Sequence, residues 1–219
     1  MSQFFSIHPD NPQLRLIKQA AEIIRGGGIV VYPTDSCYAL GCHIGDKAAM
    51  ERIRQIRGVD DRHHLTLVCR DLSELATYAR VDNQQFRLLK AATPGSYVFI
   101  LEATRELPKR LQHPKRRTIG LRIPDHPVVN AMLAELGEPI LSSTLLLPDD
   151  ELPMTDAHEI RERLEHLVDL VLDGGSCGIE PSTVVDLTGP MPVVTREGKG
   201  TLTLLVSDRV QLQLAGGLR

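Results

Sequence analysis

A run of β-branched residues that ends on a proline, Ile29-Val30-Val31-Tyr32-Pro33, sets the first fixed point of this chain. Ile and Val favour a pleated, buried strand. Proline has no N–H to give to a central ladder, so the strand must stop there. Just past the stop stand Thr34, Asp35 and Ser36. In open α/β sheets, ligands are held at such strand ends. The same residues also suit a turn in which side chains satisfy their own backbone. The stretch supports both readings.

Around this strand the chain alternates between helical and extended patterns. Asn11 and Pro12 suit the cap and first position of a helix that Gly26 ends, with Ile17, Ala20, Ala21 and Ile24 on one face. Tyr38–Cys42 is extended. Asp46 caps a second helix with Ala49, Ile53 and Ile56 inward and Arg52, Arg54 and Arg57 outward or near its end. A polar loop from Asp60 to His64 leads to a strand over Leu65–Cys69, and short helices start at Asp71 and Asp82. Further strands are predicted over 96–102, 118–123, 139–143, 168–172, 183–187 and 193–196, and helices over 128–136 and 157–167. Asp156 and Glu159 have capping-box spacing before the last helix. Two pairs of strands have no helix between them, so the expectation is one α/β domain with a mixed, not purely parallel, sheet. The domain spans residues 12–200, and 201–219 form a tail whose alternating Leu202, Leu204, Leu205, Val210, Leu212 and Leu214 suit an edge strand or a homodimer contact.

Several function classes drop out. No apolar run reaches the roughly 18 residues of a membrane span, and the N-terminus lacks a basic-then-apolar signal pattern, which predicts a cytoplasmic protein. With a net charge of −3, nucleic acid could be met only through a local basic patch. The absence of Trp and an aromatic content of 4% speak against a stacking platform for single-stranded bases. Four cysteines (37, 42, 69 and 177) lack zinc-site spacing and read as reduced, small apolar fillers. Neither glycine-rich phosphate motif is present. Gly174-Gly175-Ser176-Cys177-Gly178 matches a nucleophile elbow, but the last histidine, His166, precedes the serine, so the required Ser…Asp…His order is impossible.

Basic and hydroxyl residues recur at strand ends: Thr34, Ser36, Arg57, Thr118, Arg122, Ser142, Thr144, Ser182 and Arg196. Gathered on one sheet face, guanidinium forks and hydroxyls would bind phosphates and carboxylates. Lys109, Arg110, Lys115, Arg116 and Arg117 form the one dense basic cluster and are candidates for contacts to RNA phosphates.

Four blocks in fixed order carry a family resemblance: Pro33-Thr34-Asp35-Ser36-x-Tyr38-x-Leu40-Gly41; Pro94-Gly95; Arg122-x-Pro124-Asp125-His126-Pro127; and Ser182-Thr183-Val184-Val185-Asp186 followed by Arg196-x-Gly198. This pattern resembles the YrdC-like superfamily, the L-threonylcarbamoyladenylate synthases and their relatives, and is closest to its YciO subgroup. The resemblance implies a twisted mixed parallel and antiparallel sheet, flanked by helices, with a concave basic face that binds ATP, L-threonine and bicarbonate. It implies formation of threonylcarbamoyl-AMP and pyrophosphate for tRNA threonylcarbamoyladenosine synthesis, with Mg2+ carried on the nucleotide and no metal held by protein side chains. It places Thr34, Tyr38, Arg57, Thr118, Arg122, Ser142, Thr144, Ser182 and Arg196 at substrate or nucleotide. None is a nucleophile, because the phosphoryl transfer needs positioning and charge.

The synthases carry Lys-x-Arg where this chain has Arg57-Gly58-Val59, and Ser-x-Asn where it has Ser142-Ser143-Thr144. One charge and one amide are thereby lost, which points to a weak synthase. The rival readings are a non-catalytic nucleotide, tRNA or double-stranded RNA binder using the same face, and carbamoyl chemistry on another amine or acid.

Overall fold

The structure is a computed structural model that describes residues 1–60, 63, 65–113, 115–204 and 213–214. In chain order its elements are β1 (Gln3–Ser6), α1 (Leu14–Arg25), β2 (Val30–Tyr32), β3 (Ala39–His43), α2 (Lys47–Arg57), β4 (Thr66–Val68), α3 (Leu72–Tyr78), α4 (Asn83–Ala92) and β5 (Tyr97–Glu102). They continue with β6 (Thr118–Arg122), α5 (Pro127–Leu136), β7 (Ile140–Thr144), α6 (Ala157–Leu164), β8 (Leu170–Asp173), β9 (Thr183–Asp186), β10 (Val193–Arg196) and β11 (Gln213–Leu214). One-turn 3-10 helices occupy Lys109–Leu111 and Leu202–Leu204.

Among the described residues all eleven strands join one sheet in the order β1-β8-β2-β3-β7-β4-β6-β5-β9-β10-β11. The sheet is mixed, as the strand pairs without intervening helices require: β2, β3, β7 and β4 run antiparallel in succession, whereas β4–β6 and β5–β9 are parallel. Alternate residues of each strand face opposite sides. Val31, Leu40, Cys42, Leu67, Phe99, Leu101, Leu121 and Val185 point to a core closed by Met50 and Ile53 of α2, Leu75 of α3, Leu89 of α4 and Ile160 of α6. On the other face, Val30, Tyr32, Ala39, Val68, Ile140, Leu170 and Leu172 pack under Ile17, Ala20, Ala21 and Ile24 of α1 and Val128, Val129, Met132 and Leu133 of α5. That cover ends at Val68. On β5 and β9 the residues of this second face, Val98, Ile100 and Val184, are only half-buried. The site lies on this uncovered half.

The structure corrects several boundaries. The first helix starts at Leu14, because Asp10 and Asn11 belong to a turn in which both backbone N–H groups donate to His8 Nδ1. The last helix stops at Leu164, three residues early. Asp156 accepts from the Glu159 backbone N–H, and the reciprocal capping box is found instead at Asp82 and Gln85. β1 goes unseen in the sequence: four residues with two half-buried phenylalanines give too little alternation to mark a strand. It adds in parallel to β8. At the other edge Gln213–Leu214 pairs in parallel with β10, and Leu205, Val210 and Leu212 of the tail pattern lie outside the described residues, as do Asp61, Arg62 and His64 of the polar loop. No helix among the described residues is long and apolar enough to cross a membrane. The cysteines carry no disulfide.

Candidate functional site

On the uncovered half of the sheet lies a cavity of about 530 Å³. Its floor follows from strand register. Ser142 of β7 pairs with Thr66 of β4, Thr66 with Gly120 of β6, and Gly120 with Ile100 of β5, and all four line the cavity. A Cβ at Gly120 would come within 3.1 Å of the Val98 side chain, so glycine keeps the floor low.

The wall beside this floor is the turn after Pro33. Thr34 Oγ1 accepts from the backbone N–H groups of Ser36 and Cys37 and donates to the Cys37 carbonyl at 2.6 Å. The turn thus satisfies its own backbone, and in doing so it presents Ser36 and Cys37 to the cavity. Ser36 Oγ lies 3.0 Å from Arg122 Nη2 and 3.5 Å from Ser182 Oγ. Arg122 also ion-pairs with Asp35, whose second carboxylate oxygen accepts from Ser96 Oγ at 2.9 Å. The Arg122 and Asp35 side chains are 9% and 11% exposed. Lys199 Nζ donates to the Asp35 carbonyl, fastening the 196–200 segment to the same turn. Gly198 makes that possible, because a Cβ there would lie 2.1 Å from the Pro181 carbonyl oxygen.

Arg57 and Arg196 enter from the sides. Arg57 closes α2, whose last turn ends at Gly58 in the left-handed conformation (φ 60°), and Nη1 donates to the Leu146 carbonyl. Arg196 donates from Nε and Nη2 to the Ser182 carbonyl. Burial, and then the charge of Arg196, push the Arg57 guanidinium below its usual range. Arg196 is lowered as well, chiefly by burial. Buried Nε atoms of Arg57 and Arg122 have no hydrogen-bond partner among the described residues. Among those residues the cavity is lined by four arginines and two histidines and by no carboxylate. The arrangement can hold a multiply charged anion in several orientated donors, with an apolar floor beside it. No three His, Cys, Asp or Glu among the described residues are grouped to hold a metal ion.

Seven of the nine residues singled out from sequence line this cavity: Arg57, Thr118, Arg122, Ser142, Thr144, Ser182 and Arg196. Thr34 stands one step behind it, acting through Ser36. The structure places Tyr38 elsewhere. Its neighbour Ala39 faces the cavity, so Tyr38 points to the opposite core, fully buried, with its hydroxyl donating to the Gly175 carbonyl at 2.6 Å. The basic cluster also divides. Arg116 reaches the cavity and lies 3.8 Å from Asp186, whereas Lys109 and Arg110 line a separate groove and Lys115 and Arg117 are exposed. Sequence reading missed Thr66, Val98, Ile100 and Val184, which become floor residues only through strand order. His63 and His113 also line the cavity.

The family model described as "Telomere recombination", Sua5/YciO/YrdC, matches residues 22–198. An Escherichia coli protein named uncharacterized protein YciO is 60% identical over 200 residues, 91% of this chain and 97% of its own. The crystal structure of E. coli YciO superposes with a TM-score of 0.91 at 58% identity, over 94% of this chain and 100% of that one. A Nitrosococcus oceani protein named threonylcarbamoyl-AMP synthase is 33% identical over 129 residues, 58% of this chain and 69% of its own. P. abyssi Sua5, crystallised with L-threonine, shares the fold with a TM-score of 0.85 at 23% identity, over 97% of this chain and 63% of that one.

Proposed function

This chain belongs to the Sua5/YciO/YrdC family, and on that premise we propose that its open sheet face joins ATP, L-threonine and bicarbonate into threonylcarbamoyl-AMP. Bicarbonate loses water as its carbon joins the threonine amine to give a carbamate, a carbamate oxygen forms a bond to the α-phosphorus, and the bond from that phosphorus to the bridging β-phosphate oxygen breaks to release pyrophosphate. Magnesium enters with the nucleotide as part of the substrate. The product then serves tRNA threonylcarbamoyladenosine synthesis. One observation carries the reading: half-buried Arg57 and exposed Arg196 line one cavity whose described lining holds no carboxylate, and burial and then the charge of Arg196 depress Arg57. Like charges brought to one cavity are stabilised by an anion between them. Triphosphate supplies that anion, and Thr118, Ser142, Thr144 and Ser182 supply hydroxyls around it. Phosphoryl transfer needs little else from a protein.

The test is an incubation of the pure protein with ATP, L-threonine, bicarbonate and MgCl2. Threonine-dependent pyrophosphate above a heat-killed control is the expected result, at a slow rate, since Arg57-Gly58-Val59 and Ser142-Ser143-Thr144 stand where the synthases carry Lys-x-Arg and Ser-x-Asn. Release that does not depend on threonine overturns the reading.

Exposed Lys115 and Arg117, with Arg116 at the cavity, favour a second use of this face in holding tRNA or double-stranded RNA. Affinity for tRNA then falls steeply with salt, and the Lys115→Ala/Arg116→Ala/Arg117→Ala variant flattens a log–log slope by about 2–3, close to one per phosphate contact. A flat slope in the parent protein removes this use.

A further inference from the structure

We infer that the groove between α2 and the 3-10 turn at Lys109–Leu111 is a second anion site, one that takes the phosphate end of a small phosphorylated ligand. Lys47, Glu51 and Arg54 fall at successive turns along one stripe of α2 and face Lys109 and Arg110 across about 320 Å³, over a floor that includes Leu65 and Leu141. Four cations meet one carboxylate here, and Arg54 Nη1 already holds that carboxylate, Glu51, at 2.7 Å. The Arg54 side chain is only 13% exposed, and its buried Nε has no hydrogen-bond partner among the described residues. Buried donors are rarely left so. Arg110 is fixed from behind by donating to the Gly45 carbonyl at 2.6 Å, which holds its guanidinium at the rim.

Convergent guanidinium and ammonium groups suit a phosphate, whose several oxygens can accept from all of them. The groove's size and its lack of aromatic lining suit a small molecule better than a polymer that stacks its bases. The floor adds apolar contact for whatever carries the phosphate. Leu65 lines both this groove and the larger cavity, so the two sites share a wall yet use different cations.

Equilibrium dialysis of the full chain against labelled pyrophosphate tests this. Two sites per chain are expected. Lys109→Gln/Arg110→Gln, and separately Arg54→Gln, weaken one of them about tenfold or more, the loss of charge-assisted contacts, and leave the other in place. Arg196→Met does the reverse. Competition by AMP separates sources: tighter binding of AMP than of pyrophosphate at the groove identifies a nucleotide seated on the apolar floor, and the opposite order identifies a free phosphate compound. A site count that neither groove variant changes, at parental affinities, overturns the inference. A single site that both groove variants abolish keeps it and counts instead against nucleotide binding in the larger cavity.

Discussion

Asp35→Ala lowers the stability of the folded chain by about 3–5 kcal/mol, the range for breaking one partner of a buried ion pair. Asp35 and Arg122 are almost wholly removed from solvent, at 11% and 9% side-chain exposure. Without the carboxylate, the guanidinium keeps Ser36 Oγ at 3.0 Å and little else, and its Nε is already without a partner among the described residues. Ser96 loses the nearer of its two acceptors in the same step and keeps only the Asp35 carbonyl, at 3.4 Å. At roughly 2–4 °C per kcal/mol for a chain of this size, the melting temperature falls by on the order of ten degrees. Thermal and urea unfolding measure both quantities. Asp35→Ala/Arg122→Met restores part of the loss, because no buried charge remains to be compensated, and the double variant is therefore less unstable than the two single effects added. A loss below about 1 kcal/mol for Asp35→Ala, the scale of an exposed pair, would show that this pair does not hold the turn.

This prediction concerns the stretch where sequence reading and structure meet most closely. The strand before Pro33 and the polar turn after it are both legible in the residues, because proline and β-branched side chains act locally. Of the two roles open to Thr34, the structure shows the self-satisfied turn, and the turn is what positions Ser36 against Arg122. The floor of the cavity was not legible. Thr66, Gly120 and Ile100 are adjacent only because β4, β6 and β5 pair, and strand order depends on contacts far apart in sequence. The placement of Tyr38 was not legible for a related reason: one residue of strand register decides which face a side chain takes, and Ala39 lines the cavity. The basic cluster reads as one unit in sequence, but the 3-10 turn at Lys109–Leu111 and the positive φ of 54° at Arg117 send its members in different directions.

Arg57→Met and Arg196→Met each lower kcat/KM for threonine-dependent pyrophosphate release by about 10²–10³, the scale for one preorganised group aimed at developing charge. On the proposed reading the two guanidiniums act together on the triphosphate. Burial and the charge of Arg196 hold Arg57 below its usual range, so the folded protein bears a repulsion that, on the proposed reading, a bound triphosphate would relieve. Removing one arginine removes that repulsion along with half of the clamp. The activity loss is therefore accompanied by an unfolding midpoint that holds or rises, which separates loss of the site from loss of the fold. Arg57→Lys keeps a compact charge at the position where the synthases carry lysine and falls less than Arg57→Met. The double variant falls less than the product of the single losses, since each arginine already needs the other to act. Steady-state kinetics with pyrophosphate detection, run beside denaturation of the same preparations, reads all three comparisons. A change below about threefold in both single variants, far short of a preorganised contact, would place triphosphate away from Arg57 and Arg196 and move the site to Arg122 and the serines alone.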